Sequence, residues 1–204
     1  MHILYTLFIA LANNLDNIGV RIAYSIRGIK ISNLKNLWIS VITFFISTFA
    51  AFSGSMISGL LNKQISSIVS ALFLTGIGLW IIFGDYIKKD NNSITELNED
   101  NDKSIRHILQ KPEVADLDNS KSIDYKEATL LGIALSINNI GGGLSAGMIG
   151  LNSFFVGFLS AIISFLALWV GNYVTEFFNK WNLGNKATVV SGIVLILIGI
   201  KQVI

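Results

Sequence analysis

Long apolar segments, each about the thickness of a bilayer core, fill this chain on both sides of one charged stretch, and that pattern most constrains the fold. A helix crossing the hydrocarbon needs about 20 mostly apolar residues. Six segments meet that length: residues 2–24, 37–61, 67–87, 128–149, 153–178 and 186–203. None has the two-residue alternation of barrel strands, which leaves helices as the only way to satisfy their backbones in lipid. The chain is 52% hydrophobic and only 14% charged, too little charge to wet the surface of a soluble domain. Most of that charge lies between Lys88 and Glu127. The expectation is an all-α membrane protein of six helices in a cell membrane, its partner the lipid bilayer.

The basic residues set the direction. Arg27, Lys30 and Lys35 fall between the first two spans, Lys180 and Lys186 between the last two. The central stretch adds Lys88, Lys89, Lys103, Arg106, Lys111, Lys121 and Lys126. Only Lys63 and Lys201 lie on the other side, with Arg21 inside the first span. Under the positive-inside rule the odd-numbered loops face the cytoplasm and both termini lie outside it. The apolar N-terminus has no basic leader, and Asn13, Asn14, Asp16 and Asn17 interrupt it, so it reads as a retained span.

The two halves repeat. The first span reads IALANNLDNIG from Ile9, and the fourth reads LGIALSINNIG from Leu131. With Asp16 set against Asn138, Ala12/Ala134, Asn17/Asn139, Ile18/Ile140 and Gly19/Gly141 are identical. In the second and fifth spans Thr43, Ser47, Ala50, Gly54 and Ser58 match Ser160, Ser164, Ala167, Gly171 and Thr175. Steps of three and four keep each set on one helix face, where small residues let helices pack closely. Units of three helices insert in opposite senses, so the expected organisation is two inverted repeats, residues 1–87 and 128–204, flanking a cytoplasmic loop of residues 88–127. Secondary transporters built this way bind their cargo near the midplane, where the repeats meet.

Asp16 is the acidic residue deep within a span, and Asn138 stands at the matching depth of the fourth. A carboxylate in hydrocarbon is costly unless paired, hydrated or protonated, and by default it marks a pathway. Carboxylate and amide oxygens are hard ligands, suited to Mn²⁺, Mg²⁺ or Ca²⁺. The candidate transport-site residues are therefore Asp16, Asn17, Asn138 and Asn139, with Gly141, Gly142 and Gly143 expected to let the fourth helix unwind. The alternative for the amides is hydrogen bonding between helices and no more. Arg21 is expected to snorkel to the cytoplasmic interface.

A second cation site is suggested by DLDNSKSIDYKE, residues 116–127. Asp116, Asp118 and Ser120 take positions one, three and five of an EF-hand loop. Ser122 offers the carbonyl at seven, Asp124 is nine and Glu127 twelve. Ca²⁺ or Mn²⁺ would fit. Lys121 replaces the usual glycine at six and must accept a left-handed backbone, costing about 1–2 kcal/mol. The alternative is a solvated linker whose acidic residues cap the following helix.

Other classes recede. There is no cysteine, hence no disulfide framework or thiolate metal site. A net charge of +2 without a basic stripe does not suit nucleic acid. No catalytic constellation is visible, so an enzyme is not expected, and no cofactor is required.

The motif LDNIGV in the first span, its counterpart ALSINNIG in the fourth and the ending VLILIGI resemble the manganese efflux pump (MntP) family. The stretch from Ile108 to Ser136 is similar to the YtaF-type sporulation membrane proteins of that family, which lies within the LysE-type exporter superfamily. The resemblance spans nearly the whole chain. It implies six helices in inverted repeats and export of Mn²⁺ bound by an aspartate from each repeat. Asp16 matches the first aspartate; Asn138 stands where the second is expected, and Arg21 where small residues are usual. A divalent-cation exporter is the leading expectation. Export of an amino acid or other small ion, or a non-transporting sporulation-type protein, are the alternatives, and a homo-oligomer is left open.

Overall fold

The computed structural model describes residues 2–26, 29–91, 115–118 and 120–181, together with Ile193, Ile196 and Ile200. The expected sixth span, 186–203, thus lies almost wholly outside the described residues, as does most of the charged loop. The helices are α1 (His2–Asn14), α2 (Asp16–Ile26), α3 (Asn33–Leu60), α4 (Lys63–Asn91), α5 (Tyr125–Met148) and α6 (Ser153–Trp181). The stretches Ile3–Arg21, Asn33–Leu60 and Ser153–Val170 are long and apolar enough to cross a bilayer, and α5 is a fourth if its two bent parts count as one span.

Local signals start and stop these helices. Asn62 and Asn152 cap α4 and α6, their side chains accepting from the N–H groups of Ile65 (2.8 Å) and Phe155 (3.0 Å). The capping box of Asp124 and Glu127 opens α5. At its far end Gly150 takes φ +80°. Gly150 N–H donates to Gly147 O at 3.0 Å and Leu151 N–H to Ala146 O at 3.0 Å, a Schellman stop with Leu151 and Ala146 in one apolar cluster.

Cross-helix contacts fix the directions. Trp38 meets Thr129 and Thr43 meets Ser136, so α3 and α5 run parallel. Ser70 meets Ser145 and Ser66 meets Met148, so α4 runs against α5. Asn36 meets Phe165 and Phe44 approaches Gly157, so α6 runs against α3. The α1–α2 pair also opposes α5, Asn13 meeting Gly142 and Asn14 meeting Asn139. Successive spans therefore alternate in direction.

Polarity is inverted relative to a soluble protein. Leu60 is 88% exposed and Phe49 72%, whereas Asn14, Asn17, Asn139, Thr43, Ser47 and Ser164 are fully buried. Apolar outside and polar inside is what a lipid solvent selects. At one end Trp38 Nε1 donates to Thr129 Oγ1 (3.0 Å), and Lys35 Nζ sits 5.9 Å from the centre of the Tyr125 ring. Amphipathic aromatics of this kind belong at a bilayer interface.

Two apolar clusters bracket the polar interior. One, on the side of the Lys88–Glu127 loop, contains Tyr24, Ile29, Ile39, Leu131, Leu135 and Leu168. The other, toward Gly150, contains Ile9, Ala12, Ala51, Leu74, Ala146 and Val156. Glycines bring the backbones together here. A Cβ on Gly54 would strike the Leu144 carbonyl, one on Gly147 the Ala51 carbonyl, and one on Gly143 would stand 3.0 Å from Ala50 Cβ.

Candidate functional site

Between the clusters, the first span is broken and α5 is bent. The first span breaks at Leu15, where α1 ends at Asn14 and α2 begins at Asp16; Ile18 N–H turns to Leu15 O at 3.2 Å, a tighter turn than the α-helical one. In α5, Tyr125–Ile137 and Asn139–Met148 meet at 49°, with Asn138 at the corner. The repeat alignment sets Asp16 against Asn138, so the break at Leu15 and the bend at Asn138 fall one residue apart. Gly141, Gly142 and Gly143 do not unwind, contrary to expectation. They remain helical because their bare faces are taken up by packing: Gly142 lies under the Asn13 amide and Gly143 against Ala50 and the Ser47 carbonyl.

A chain of hydrogen bonds passes around these breaks. Asn14 and Asn139 exchange amide bonds, Asn14 Nδ2 donating to Asn139 Oδ1 (3.2 Å) and Asn139 Nδ2 to Asn14 Oδ1 (3.3 Å). Asn14 Nδ2 also holds the Ala10 carbonyl at 2.8 Å. Asn17 Nδ2 donates to Asn14 Oδ1 (3.2 Å) and to Ser164 Oγ (3.1 Å). Thr43 Oγ1 then bonds Ser164 Oγ at 3.4 Å and lies 3.0 Å from Ser136 Oγ. The circuit returns to α5 one turn before Asn139, having joined α1, α2, α3, α5 and α6. In a low-dielectric interior such a network is worth most when every member is satisfied.

Of the residues singled out by sequence, Asn17 and Asn139 are brought together through Asn14. The backbones of Asp16 and Asn138 stand at the two breaks, and their side chains lie outside the described residues. Asn14, Thr43, Ser136 and Ser164 join the site without being among the sequence candidates. The stripes on the second and fifth spans do flag Thr43 and Ser164, but as packing surface. Amide and hydroxyl oxygens at this level could surround a cation with neutral ligands.

Arg21 departs from its expected place. It does not snorkel: it is 4% exposed, and its Nη1 donates to the Ile29 carbonyl at 3.3 Å, while Nε finds no partner among the described residues. Ile29 lies just past the end of α2, its N–H bonded to Tyr24 O at 2.8 Å, which places its carbonyl within reach of the guanidinium. Lys30 then forms a parallel bridge with Ser122, its N–H donating to Lys121 O (2.9 Å) and its carbonyl accepting from Ile123 N–H (3.1 Å). Ile123 is fully buried beside Ile29 and Leu131. Sequence reasoning misses this tie between the first and third loops.

The acidic loop is ordered as the motif predicts at its strained position: Lys121 has φ 61°, the left-handed conformation. Carboxylate oxygens of Asp116, Asp118 and Glu127 lie within 4.8 Å of one another. The other motif residues serve the frame. Ser120 N–H donates to Asp116 (3.1 Å) and Asp118 (2.9 Å), and its hydroxyl to the Ser122 carbonyl (2.9 Å). Asp124 caps α5 by accepting from Glu127 N–H at 2.8 Å. Glu127, 3% exposed, accepts from Leu117 N–H (2.7 Å) and Asp124 N–H (2.9 Å). Hydrogen bonds from Ser120, side chain first and backbone second, hold the Asp118 carboxyl below the ordinary carboxylate range.

Comparison with known proteins gives the family. Residues 103–203 match the family model described as "Putative manganese efflux pump". Over 208 aligned residues the chain is 30% identical to the "Probable sporulation protein YtaF" of Bacillus subtilis (strain 168), covering 98% of this chain and 99% of that protein. No solved structure matches. With a full-length relative at that identity and the family model on its second half, the chain belongs to the MntP manganese efflux pump family of membrane proteins.

Proposed function

We propose that this protein is a secondary exporter of a divalent metal cation, Mn²⁺, working by alternating access of two inverted repeats, residues 1–87 and 128–204. Both termini lie outside the cytoplasm. The observation that carries the reading is a break at Leu15 in the first span and a bend at Asn138 in α5, one residue apart in the repeat alignment and beside one buried circuit of amides and hydroxyls. Interrupted helices at a repeat interface are where transporters of this architecture hold ions. Asp16 is the anchoring ligand; Asn17, Asn138 and Asn139 supply neutral oxygens. With one carboxylate in place of two, the site holds its ion loosely, which suits release.

Metal accumulation in cells given excess manganese tests this. Asp16→Asn should abolish export with expression intact, since the amide keeps the shape and loses the charge. Asn138→Asp should bind the ion more tightly. Normal export by Asp16→Asn would remove Asp16 from the site. The YtaF relative is named for sporulation, and a non-transporting role would use the same circuit only to join helices; wild-type protein that moves no metal would select that reading. Export of an amino acid is disfavoured because the Arg21 guanidinium is drawn to the Ile29 carbonyl.

The loop of residues 116–127 is the second part of the proposal, a cytoplasmic site for Ca²⁺ or Mn²⁺. The left-handed Lys121 and the convergence of Asp116, Asp118 and Glu127 support it. Ser120, Ser122 and Asp124 complete the loop that holds them.

A further inference from the structure

The two repeats do not use their matching hydroxyls in the same way. Ser47 of α3 and Ser164 of α6 occupy equivalent positions, as do Asn17 and Asn139. Between the first repeat's amide and the second repeat's hydroxyl the bond is made: Asn17 Nδ2 donates to Ser164 Oγ at 3.1 Å. Its counterpart would run from Asn139 Nδ2 to Ser47 Oγ. It is not made. Asn139 Nδ2 turns to Asn14 Oδ1 at 3.3 Å, and Ser47 Oγ, on a fully buried residue, has no hydrogen-bond partner among the described residues. A buried hydroxyl left unpaired is costly and calls for an explanation.

We infer that Ser47 is the partner Asn139 takes in the opposite access state, so that Asn139 is a two-position amide whose swing exchanges the roles of the two repeats. The inference rests on the inverted-repeat reading above. If the repeats trade conformations, every bond that differs between them should trade too. Asn139 leaves Asn14 for Ser47, Asn17 leaves Ser164, and Asn14 turns toward Ser160, the counterpart of Thr43 opposite Ser136. Ser160 is already buried at that level.

Single cysteines can report the exchange, because the chain has none of its own. Ala12 and Ala134 are equivalent in the repeats and lie in opposite apolar clusters. Full-length protein carrying Ala12→Cys or Ala134→Cys, reconstituted in liposomes, would be labelled with a maleimide. The readout is the ratio of the two labelling rates. Ser47→Ala removes a partner used only in the opposite state, and Ser164→Ala one used only in this state. The two should move the ratio in opposite directions, each by at least about five-fold, the worth of one hydrogen bond of about 1 kcal/mol. An unchanged ratio in Ser47→Ala, or a shift of both variants in the same direction, would overturn the switch. Should Ser164→Ala not fold, Ser47→Ala still decides, since the oxygen it deletes makes no bond here. The readout needs no substrate. Opposite shifts in a protein that moves no metal would sink the manganese reading and leave the switch standing.

Discussion

Replacing Gly147 by alanine tests the close approach on which the whole arrangement depends. The new Cβ would overlap the carbonyl oxygen of Ala51 and stand 2.8 Å from both Ala51 C and Ser55 N. These are backbone atoms of α3 and cannot rotate away. Restoring ordinary contact, 3.4 Å or more, means moving α3 and α5 apart. Overpacking of this kind costs about 1–3 kcal/mol, and spreading the helices also loosens the Thr43–Ser136 hydrogen bond on the same seam, worth about 1 kcal/mol. Together they amount to about 2–4 kcal/mol, or a melting temperature about 5–15 °C lower for a chain of this size. Gly59→Ala is the control: it lies on α3, the helix that Gly147 presses against, with no atom within 4 Å of the added methyl, and should gain about 0.5–1 kcal/mol from helix propensity. Thermal unfolding in detergent, followed by circular dichroism and by recovery of monodisperse protein, separates the two. If Gly147→Ala melts with Gly59→Ala, the two backbones do not touch as described, and the circuit of bonds beside them loses its frame.

Further outcomes follow from the loop and from the topology. Lys121→Gly relieves the left-handed backbone at φ 61° and should tighten Ca²⁺ or Mn²⁺ binding in isothermal titration of the intact protein by about five- to thirty-fold, from about 1–2 kcal/mol of released strain. Glu127→Gln should weaken it, and absence of saturable binding below about 1 mM, the weak end for such loops, would leave only the capping role of that residue. Because Asp118 is held below the ordinary carboxylate range, its charge, and the affinity it lends, should persist as pH falls from 7 toward about 5 and fade only below the usual aspartate value near 4; loss of the Asp118 contribution above about pH 5 would contradict that. A reporter fused after Ile204 should behave as extracytoplasmic, and a cytoplasmic signal would reverse the orientation drawn from the basic residues.

What can be read from the sequence divides along a physical line. Apolar length is a one-dimensional property, and so the spans seen as α1–α2, α3, α5 and α6 are visible in advance. Residue size at steps of three and four is nearly so, and the stripe of Thr43, Ser47, Ala50 and Gly54 is buried as a unit. Lys121 is legible because a fixed loop geometry demands one conformation whatever residue occupies the position. The circuit is harder. An aspartate in hydrocarbon announces itself through its solvation cost, but an asparagine has the same composition whether it joins helices, holds an ion or faces a partner 125 positions away, as Asn14 does. The bend at Asn138 is misplaced onto the three glycines for a related reason. Propensity alone marks glycine as the weak point, yet a glycine pressed against a neighbouring helix is held by that contact, and Gly142 and Gly143 stay helical while the chain turns at the asparagine before them. Arg21 shows the same limit, since only the folded chain reveals that the Ile29 carbonyl lies within its reach. The repeat goes further than these, because it is a statement about pairs. It sets Ser47 beside Ser164 and Asn139 beside Asn17 from sequence alone, and against that pairing one unpartnered hydroxyl becomes a difference between two states of the protein.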